Sequence, residues 1–256
     1  MVSSEKPTVV FIPGAWNLPG GFDAVRTILT TRGYPSVAVT LPSVGADQPT
    51  KNLSDDTECT RRVIEQLTEE GKQVLVVAHS YAGLVGAGAV KDLGYAQRRA
   101  ARKQGGVVML IYMAAFVANK GSSVLDLLGG NPLPWMNFAD DNYIYLTDAA
   151  NILYNDLPPS EQEKWIAKLK PMSKPAFLEA VSHEPWHELP CMYLLCERDN
   201  ALPISLQEAM ADMLGKHTSF RCVASHTPFL SVPGKVADAV ELGAQEGIKE
   251  SAITGN

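Results

Sequence analysis

The pattern that most constrains this chain is a repeated alternation of short, predominantly apolar runs with stretches of helical period. Apolar runs occupy 8–12, 37–41, 74–78, 107–113, 192–196 and 220–223. Between them lie helical patterns at 22–31, with Phe22, Val25, Ile28 and Leu29 on one face, and at 53–70, with Val63, Ile64 and Leu67 facing inward. Further helices are predicted over 80–91, 204–214 and 233–245. Pro13-Gly14, Gly33, Pro42 and Gly71 punctuate the alternation where a strand or helix must stop. A strand that is apolar at every position is buried on both faces, and that requires helices above and below it. The chain therefore reads as α/β, with a mostly parallel sheet of about six strands flanked by helices.

The rhythm breaks between 119 and 189. This stretch contains Trp135, Trp165, Trp186, Tyr143, Tyr145 and Tyr154 among prolines and acidic residues. Long insertions in compact domains are commonly functional, so a helical cap is expected there. The core is then 1–118 together with 190–256. The tail after Gln245 is polar and is expected to fray.

Several function classes are disfavoured by composition. A formal net charge of -6 gives no electrostatic reason to bind nucleic acid or anionic lipid. The one basic cluster, 98–103, reads as solvated surface. Cys59, Cys191, Cys196 and Cys222 match no zinc spacing and no dense disulfide framework, so reduced thiols are expected. Residues 1–7 lack the apolar core of a signal peptide, and no run reaches the ~20 apolar residues of a membrane span. A soluble cytoplasmic protein is the expectation, with an oxidising compartment left open.

The sharpest local signal is VLVVAHSYAG at 74–83. A buried strand runs directly into Ser80 and a helix follows at once. At such a corner a serine is forced into a strained turn that exposes its hydroxyl, and only small residues fit two positions to either side. Ala78 and Ala82 occupy those positions, followed by Gly83. The competing reading of Ser80 is a helix N-cap.

A serine hydroxyl needs a base. Of the five histidines, His79 adjoins Ser80 and should point away, His183 and His187 lie near the end of the insertion, and His217 looks like surface. His226 follows the sixth apolar run, at the carboxyl end of a buried strand, where doubly wound sheets place their chemistry. Asp199 follows the fifth run and is the candidate acid that orients the imidazole. Glu197, expected to be still on the strand, and Asp126, after the fourth run, are its competitors. The developing oxyanion needs two backbone donors. Tyr81, directly after the nucleophile, and Ala15, in the loop after the first strand, are the candidates. Gly14 permits close approach of that loop. The glycines here do not form a nucleotide-binding pattern.

With these residues assembled, the chain resembles the methylesterase and hydroxynitrile lyase branch of the α/β-hydrolases, over about 8–240. Four segments carry the resemblance: FIPGAW at 11–16, AHSYAG at 78–83, CERDNALP at 196–203, and Ala224-Ser225-His226. It is also similar to fungal hydrolases of comparable length. The resemblance implies the α/β-hydrolase fold with a cap inserted after the fourth strand. Pro13 departs from the histidine usual in the oxyanion loop. The lyases of this branch need a lysine after the catalytic histidine and a hydroxyl residue in the oxyanion loop. Thr227 and Gly14 stand there, which argues against cyanohydrin cleavage. Ser80 argues against epoxide hydrolases and dehalogenases, which use aspartate.

The expected activity is hydrolysis of a carboxylic ester or lactone of a small apolar or aromatic substrate. The triad would be Ser80, Asp199 and His226, with the oxyanion held by Ala15 and Tyr81 and no metal or organic cofactor. Gly14, Trp16, Trp135 and Phe229 are the candidate substrate-binding residues, with Tyr81 also a candidate to line the pocket. The rival readings are a lyase or cyclase of secondary metabolism and a receptor-like binding protein on the same fold. Relatives are often dimers, which leaves a homodimer open.

Overall fold

A computed structural model describes residues 6–215 and 217–253, with side chains described as far as Ser251. Met1–Glu5, part of the segment in which no signal peptide is expected, lie outside the described residues. Six strands form one sheet: β1 (Thr8–Ile12), β2 (Ser36–Ala38), β3 (Gln73–His79), β4 (Gly106–Met113), β8 (Cys191–Cys196) and β9 (Thr218–Cys222). Their spatial order is β2-β1-β3-β4-β8-β9, and every neighbouring pair is parallel. The chain reverses its direction of winding between β1 and β3, which puts a crevice at the carboxyl ends of those strands.

The helices of this core are α1 (Asp23–Thr31), α2 (Leu53–Glu69), α3 (Ala82–Ala89), α4 (Tyr95–Ala100), α9 (Ile204–Met213), α10 (Pro228–Ser231) and α11 (Pro233–Ile253). Alternate strand residues feed two apolar layers. Val10, Ile12, Val76 and Leu110 pack with residues of α2, α3 and α9. Phe11, Leu75, Val77 and Ile111 pack with residues of α1 and α11. The four central strands are buried at nearly every position, whereas the edge strands β2 and β9 are partly exposed. An edge strand has one sheet neighbour fewer, so its pattern is weaker than the uniformly apolar expectation.

Local chemistry explains the element ends. Asn52 and Asp55 exchange side-chain to backbone hydrogen bonds and start α2 with a capping box. Helix α3 is rich in small residues because it is buried against the sheet. A Cβ on Gly83 would come to 2.0 Å from the Phe116 carbonyl oxygen. Helix α11 continues to Ile253 where fraying after Gln245 was expected. Gly247 lets it approach the backbone of Val108, and Ser251 is buried. Arg98 is also not the solvated residue expected. It is buried, donating to the carbonyls of Thr68, Gln104 and Gly105 and pairing with Glu69 at 2.9 Å. Its neighbours Arg99, Arg102 and Lys103 are exposed.

The insertion between β4 and β8 is not wholly helical. It contains an antiparallel sheet of β5 (Met136–Phe138), β6 (Tyr143–Leu146) and β7 (Met172–Ser173). Around it lie four short helices: α5 (Val124–Leu127), α6 (Ala149–Ile152), α7 (Pro159–Ile166) and α8 (Pro175–Leu178). Met136, Ile144, Met172 and Phe177 join the larger apolar layer beneath it. All four cysteines are free thiols, with the Cys196 and Cys222 sulfurs 3.9 Å apart on neighbouring strands. Among the described residues no helix is long and apolar enough to cross a membrane.

Candidate active site

Four loops at the carboxyl ends of β1, β3, β8 and β9 converge. Ser80 leaves β3 with φ 56°, a left-handed conformation that costs a non-glycine residue roughly 1–3 kcal/mol. The turn is held on both sides. Ser80 N–H donates to the Met113 carbonyl at 3.2 Å, and the Ser80 carbonyl accepts from Gly83 N–H at 3.0 Å and Phe116 N–H at 3.1 Å.

Ser80 Oγ lies 2.9 Å from His226 Nε2, and His226 Nδ1 lies 2.7 Å from Asp199 Oδ2. A carboxylate only accepts, so Nδ1 carries the proton of the neutral ring and Nε2 is free to accept from the serine hydroxyl. All three residues are buried. Asp199 is fixed by three further donors: Ala201 N–H and Leu202 N–H, each at 2.8 Å on Oδ1, and Gln207 Nε2 at 3.2 Å on Oδ2. Glu197 is exposed in the turn after β8 rather than on the strand. Asp126 forms a capping box with Ser123 at the start of α5, so its carboxylate is already engaged.

The loop after β1 runs beside Ser80. A Cβ on Gly14 would lie 2.8 Å from both Ser80 Cβ and His79 Nδ1, so only glycine lets this loop come so close. Trp16 takes φ 64°. Asn17 braces the bend, its backbone N–H donating to the Gly14 carbonyl and its side chain to the Ala15 carbonyl. Ala15 N–H and Tyr81 N–H have no acceptor among the described residues.

Several polar residues around the site were not anticipated. Gln207, fully buried, also accepts from Cys196 N–H and donates to the carbonyls of Cys196 and Leu202. Asp56 lies on the buried face of α2 and accepts from Ser43 N–H at 2.9 Å, from Ser43 Oγ, and from Tyr81 Oη at 2.8 Å. Burial pushes its carboxyl above the usual carboxylate range, against the pull of these donors. Asp156 accepts from Ser225 N–H at 2.8 Å, and Thr227 Oγ1 donates to the Leu153 carbonyl at 2.9 Å. The insertion therefore grips the histidine loop on both sides of His226. His79 points away from Ser80 Oγ as expected, but it is not idle. Its Nε2–H donates to the His226 carbonyl at 2.8 Å, and its ring lies 4.7 Å from the His226 ring. Burial holds it well below the ordinary imidazole range, and the neighbouring His226 adds to this.

A small cavity of about 10 Å³ adjoins Ser80 and His226. Its lining includes Ala15, Trp16 and Trp135, and also Met136 and Phe177. Phe229 does not line it. That ring turns under the site, against Phe22, His79 and Gly21, and borders a different cleft of about 410 Å³ that includes Leu18 and Trp165. Tyr81 is likewise absent from the lining, because its ring is buried against Phe177 and its hydroxyl is held by Asp56. Gly14 touches Ser80 and His79 but is not part of the cavity wall.

The sequence profile of the alpha/beta hydrolase family matches residues 9–239. The chain is 31% identical over 249 residues to an alpha/beta hydrolase of Aspergillus novofumigatus, covering 95% of this chain and 99% of that protein. It is 24% identical over 248 residues to a pyrethroid hydrolase of Sphingobium wenxiniae, covering 91% of this chain and 85% of that one. Among solved structures, a methylesterase from Arabidopsis superposes with a TM-score of 0.75 at 17% identity, covering 94% of this chain and 99% of that one.

Proposed function

The chain belongs to the alpha/beta hydrolase family, and we propose that within it the protein is a serine esterase that cleaves a carboxylic ester or lactone of a small apolar substrate. One observation carries this reading: Ser80 Oγ, the His226 ring and the Asp199 carboxylate stand in one hydrogen-bonded line, at 2.9 Å and 2.7 Å. The pyrethroid hydrolase and methylesterase relatives support ester cleavage as the general chemistry.

In the proposed reaction Ser80 Oγ attacks the ester carbonyl carbon while His226 Nε2 takes its proton. The new oxyanion is held by Ala15 N–H and Tyr81 N–H. On collapse the bond to the alkoxy oxygen breaks, and His226 passes the proton to the departing alcohol. Water then attacks the acyl-serine with His226 again accepting a proton, which releases the acid and restores Ser80. Asp199 holds the Nδ1–H tautomer and stabilises the imidazolium. The cycle as written uses no metal or organic cofactor.

The test is intact-mass spectrometry after treatment with a small-alkyl fluorophosphonate. The expected result is one adduct on the wild type and none on Ser80→Ala. The same substitution should lower turnover by roughly 10⁴ to 10⁶. A wild type that takes no adduct refutes the reading and turns attention to a receptor-like or non-hydrolytic role.

A further inference from the structure

Outside the triad, two nucleophilic side chains meet where β8 and β9 end. Cys196 closes β8, Cys222 closes β9, and the parallel register sets them directly opposite each other. Neighbouring strands run about 4.8 Å apart, inside the ~4.4–6.8 Å between Cα atoms that a disulfide spans. Both thiols enter the apolar layer that packs with α1 and α11, and their sulfurs lie 3.9 Å apart. The other two cysteines belong elsewhere. Cys191 enters the opposite layer, and Cys59 packs against that layer from α2.

The two thiols are not equivalent. β9 is the last strand of the sheet, and Cys222 keeps 6% exposure while Cys196 is fully buried. Cys222 S–H is aimed at the Leu195 carbonyl at 3.7 Å, so Cys196 is the donor between the two sulfurs. That donor favours the Cys222 thiolate and holds this thiol below its ordinary range, whereas burial pushes Cys196 up. Cys222 is thus the thiol that meets an oxidant, and Cys196 the one that resolves it.

The pair also sits where the acid and histidine loops are laced together. Glu197 N–H donates to the Cys222 carbonyl and Arg198 N–H to the Ala224 carbonyl, both at 3.0 Å. The Gln207 amide accepts from Cys196 N–H at 2.9 Å and donates both to the Cys196 carbonyl at 3.1 Å and to Asp199 Oδ2 at 3.2 Å. A disulfide brings its sulfurs to about 2.05 Å. Closing this pair therefore draws on the two strand ends that carry Asp199 and His226.

We infer that Cys196 and Cys222 form an oxidation site for a two-electron oxidant of the peroxide class, and that closing it into a disulfide reversibly slows the proposed ester cleavage. In the first step the Cys222 thiolate attacks one peroxide oxygen. The S–O bond forms, the O–O bond breaks, and the departing hydroxide is protonated to water. The Cys196 sulfur then gives up its proton and attacks the Cys222 sulfur. The S–O bond breaks, the S–S bond forms and a second water leaves. Two thiols lose two electrons, and hydrogen peroxide is reduced to two waters. The effect on turnover rests on the esterase reading; the disulfide does not.

The experiment treats the reduced, full-length protein with hydrogen peroxide, removes the peroxide, and then denatures and alkylates it. The chain has four cysteines, so the reduced protein should take four alkyl groups and the oxidised protein two. Peptide mapping should join Cys196 to Cys222. In parallel, kcat on p-nitrophenyl acetate should fall about tenfold or more, since misplacing catalytic groups by ~1 Å can cost a hundredfold, and dithiothreitol should restore it. Cys222→Ala and Cys196→Ala should keep the reduced wild-type rate and lose the peroxide sensitivity. Four alkyl groups after peroxide, or a link between other cysteines, overturns the inference and leaves the esterase reading intact. A disulfide that leaves kcat unchanged overturns the switch. So does a loss of activity that dithiothreitol does not reverse or that persists in both variants, because methionine oxidation accounts for it. No ester turnover by the reduced wild type overturns the esterase reading and the switch with it, while the alkyl count still decides the disulfide.

Discussion

His79 offers a test of the electrostatics beneath the site. It is fully buried, and its Nε2–H donates to the His226 carbonyl, while Nδ1 has no hydrogen-bond partner among the described residues. Burial, reinforced by the adjacent His226 ring, disfavours the charged form, so the folded-state pKa lies well below the ordinary value. In the unfolded chain His79 titrates near ~6.5. Below that pH the unfolded state holds a proton that the native state lacks. Stability therefore falls as pH falls, with a slope approaching one proton, about 1.4 kcal/mol per pH unit. Relative to pH well above ~6.5, the loss from this group reaches about 1.4 kcal/mol at pH ~5.5 and grows as pH falls further.

The perturbation is His79→Gln, which keeps an N–H donor at similar reach and removes the titration. Urea unfolding followed by tryptophan fluorescence, on both proteins from neutral pH to about 4.5, gives the difference in stability at each pH. The glutamine variant should be the less stable at neutral pH, because it loses ring packing against Phe229 and His226. The gap should then shrink by about 1.4 kcal/mol by pH ~5.5 and go on shrinking below it. Asp56, whose carboxyl is raised, contributes stability of the opposite pH dependence, but it is present in both proteins and cancels in the gap. A gap that stays constant across this range would refute the assignment of His79 as a buried, neutral donor.

Three further substitutions probe the supporting structure. Gly83→Ala should give insoluble protein or lower Tm severely, as read by thermal denaturation, because the new Cβ would meet the Phe116 carbonyl at 2.0 Å. Gln207→Ala strips a partner from Cys196 N–H and Leu202 O and a donor from Asp199. Calorimetry should show a loss of about 2–4 kcal/mol, and kcat on p-nitrophenyl acetate should fall about tenfold with KM little changed. Asp156→Ala leaves Ser225 N–H without its acceptor and should lower kcat more than it raises KM. An unchanged kcat would mean that the grip of the insertion on the histidine loop is dispensable.

What the sequence made legible follows from how each feature is encoded. The central strands are continuous apolar runs, and their ends locate four loops without any tertiary information, so the positions of Ser80, Asp199, His226 and Ala15 could be read in order. The small sheet could not, because β5, β6 and β7 are only two to four residues long and carry no period to recognise. Asp56 left a faint signal, an acidic residue on the stripe formed by Leu53, Thr60, Ile64 and Leu67. A charge on a buried face implies partners, here Ser43 and Tyr81. Gln207 left none, since a polar residue on α9 is ordinary until its amide is seen between a strand and the acid loop. Arg98 was misread because charge runs are judged as runs, while burial acts on one side chain at a time. Phe229 was misjudged in a similar way: nearness in sequence to His226 says nothing about which side of the loop a ring takes. The cavity wall is the extreme of this class. Its rings come from the loop after β1, the segment after β4, the turn before β5 and α8, and its volume depends on how tightly Tyr81 and Asp56 back Phe177. No local pattern holds that volume. The shape of the space beside Ser80 is therefore a property of the packing between distant segments, and a single change at Asp56 or Tyr81, neither of which lines it, should be able to alter it.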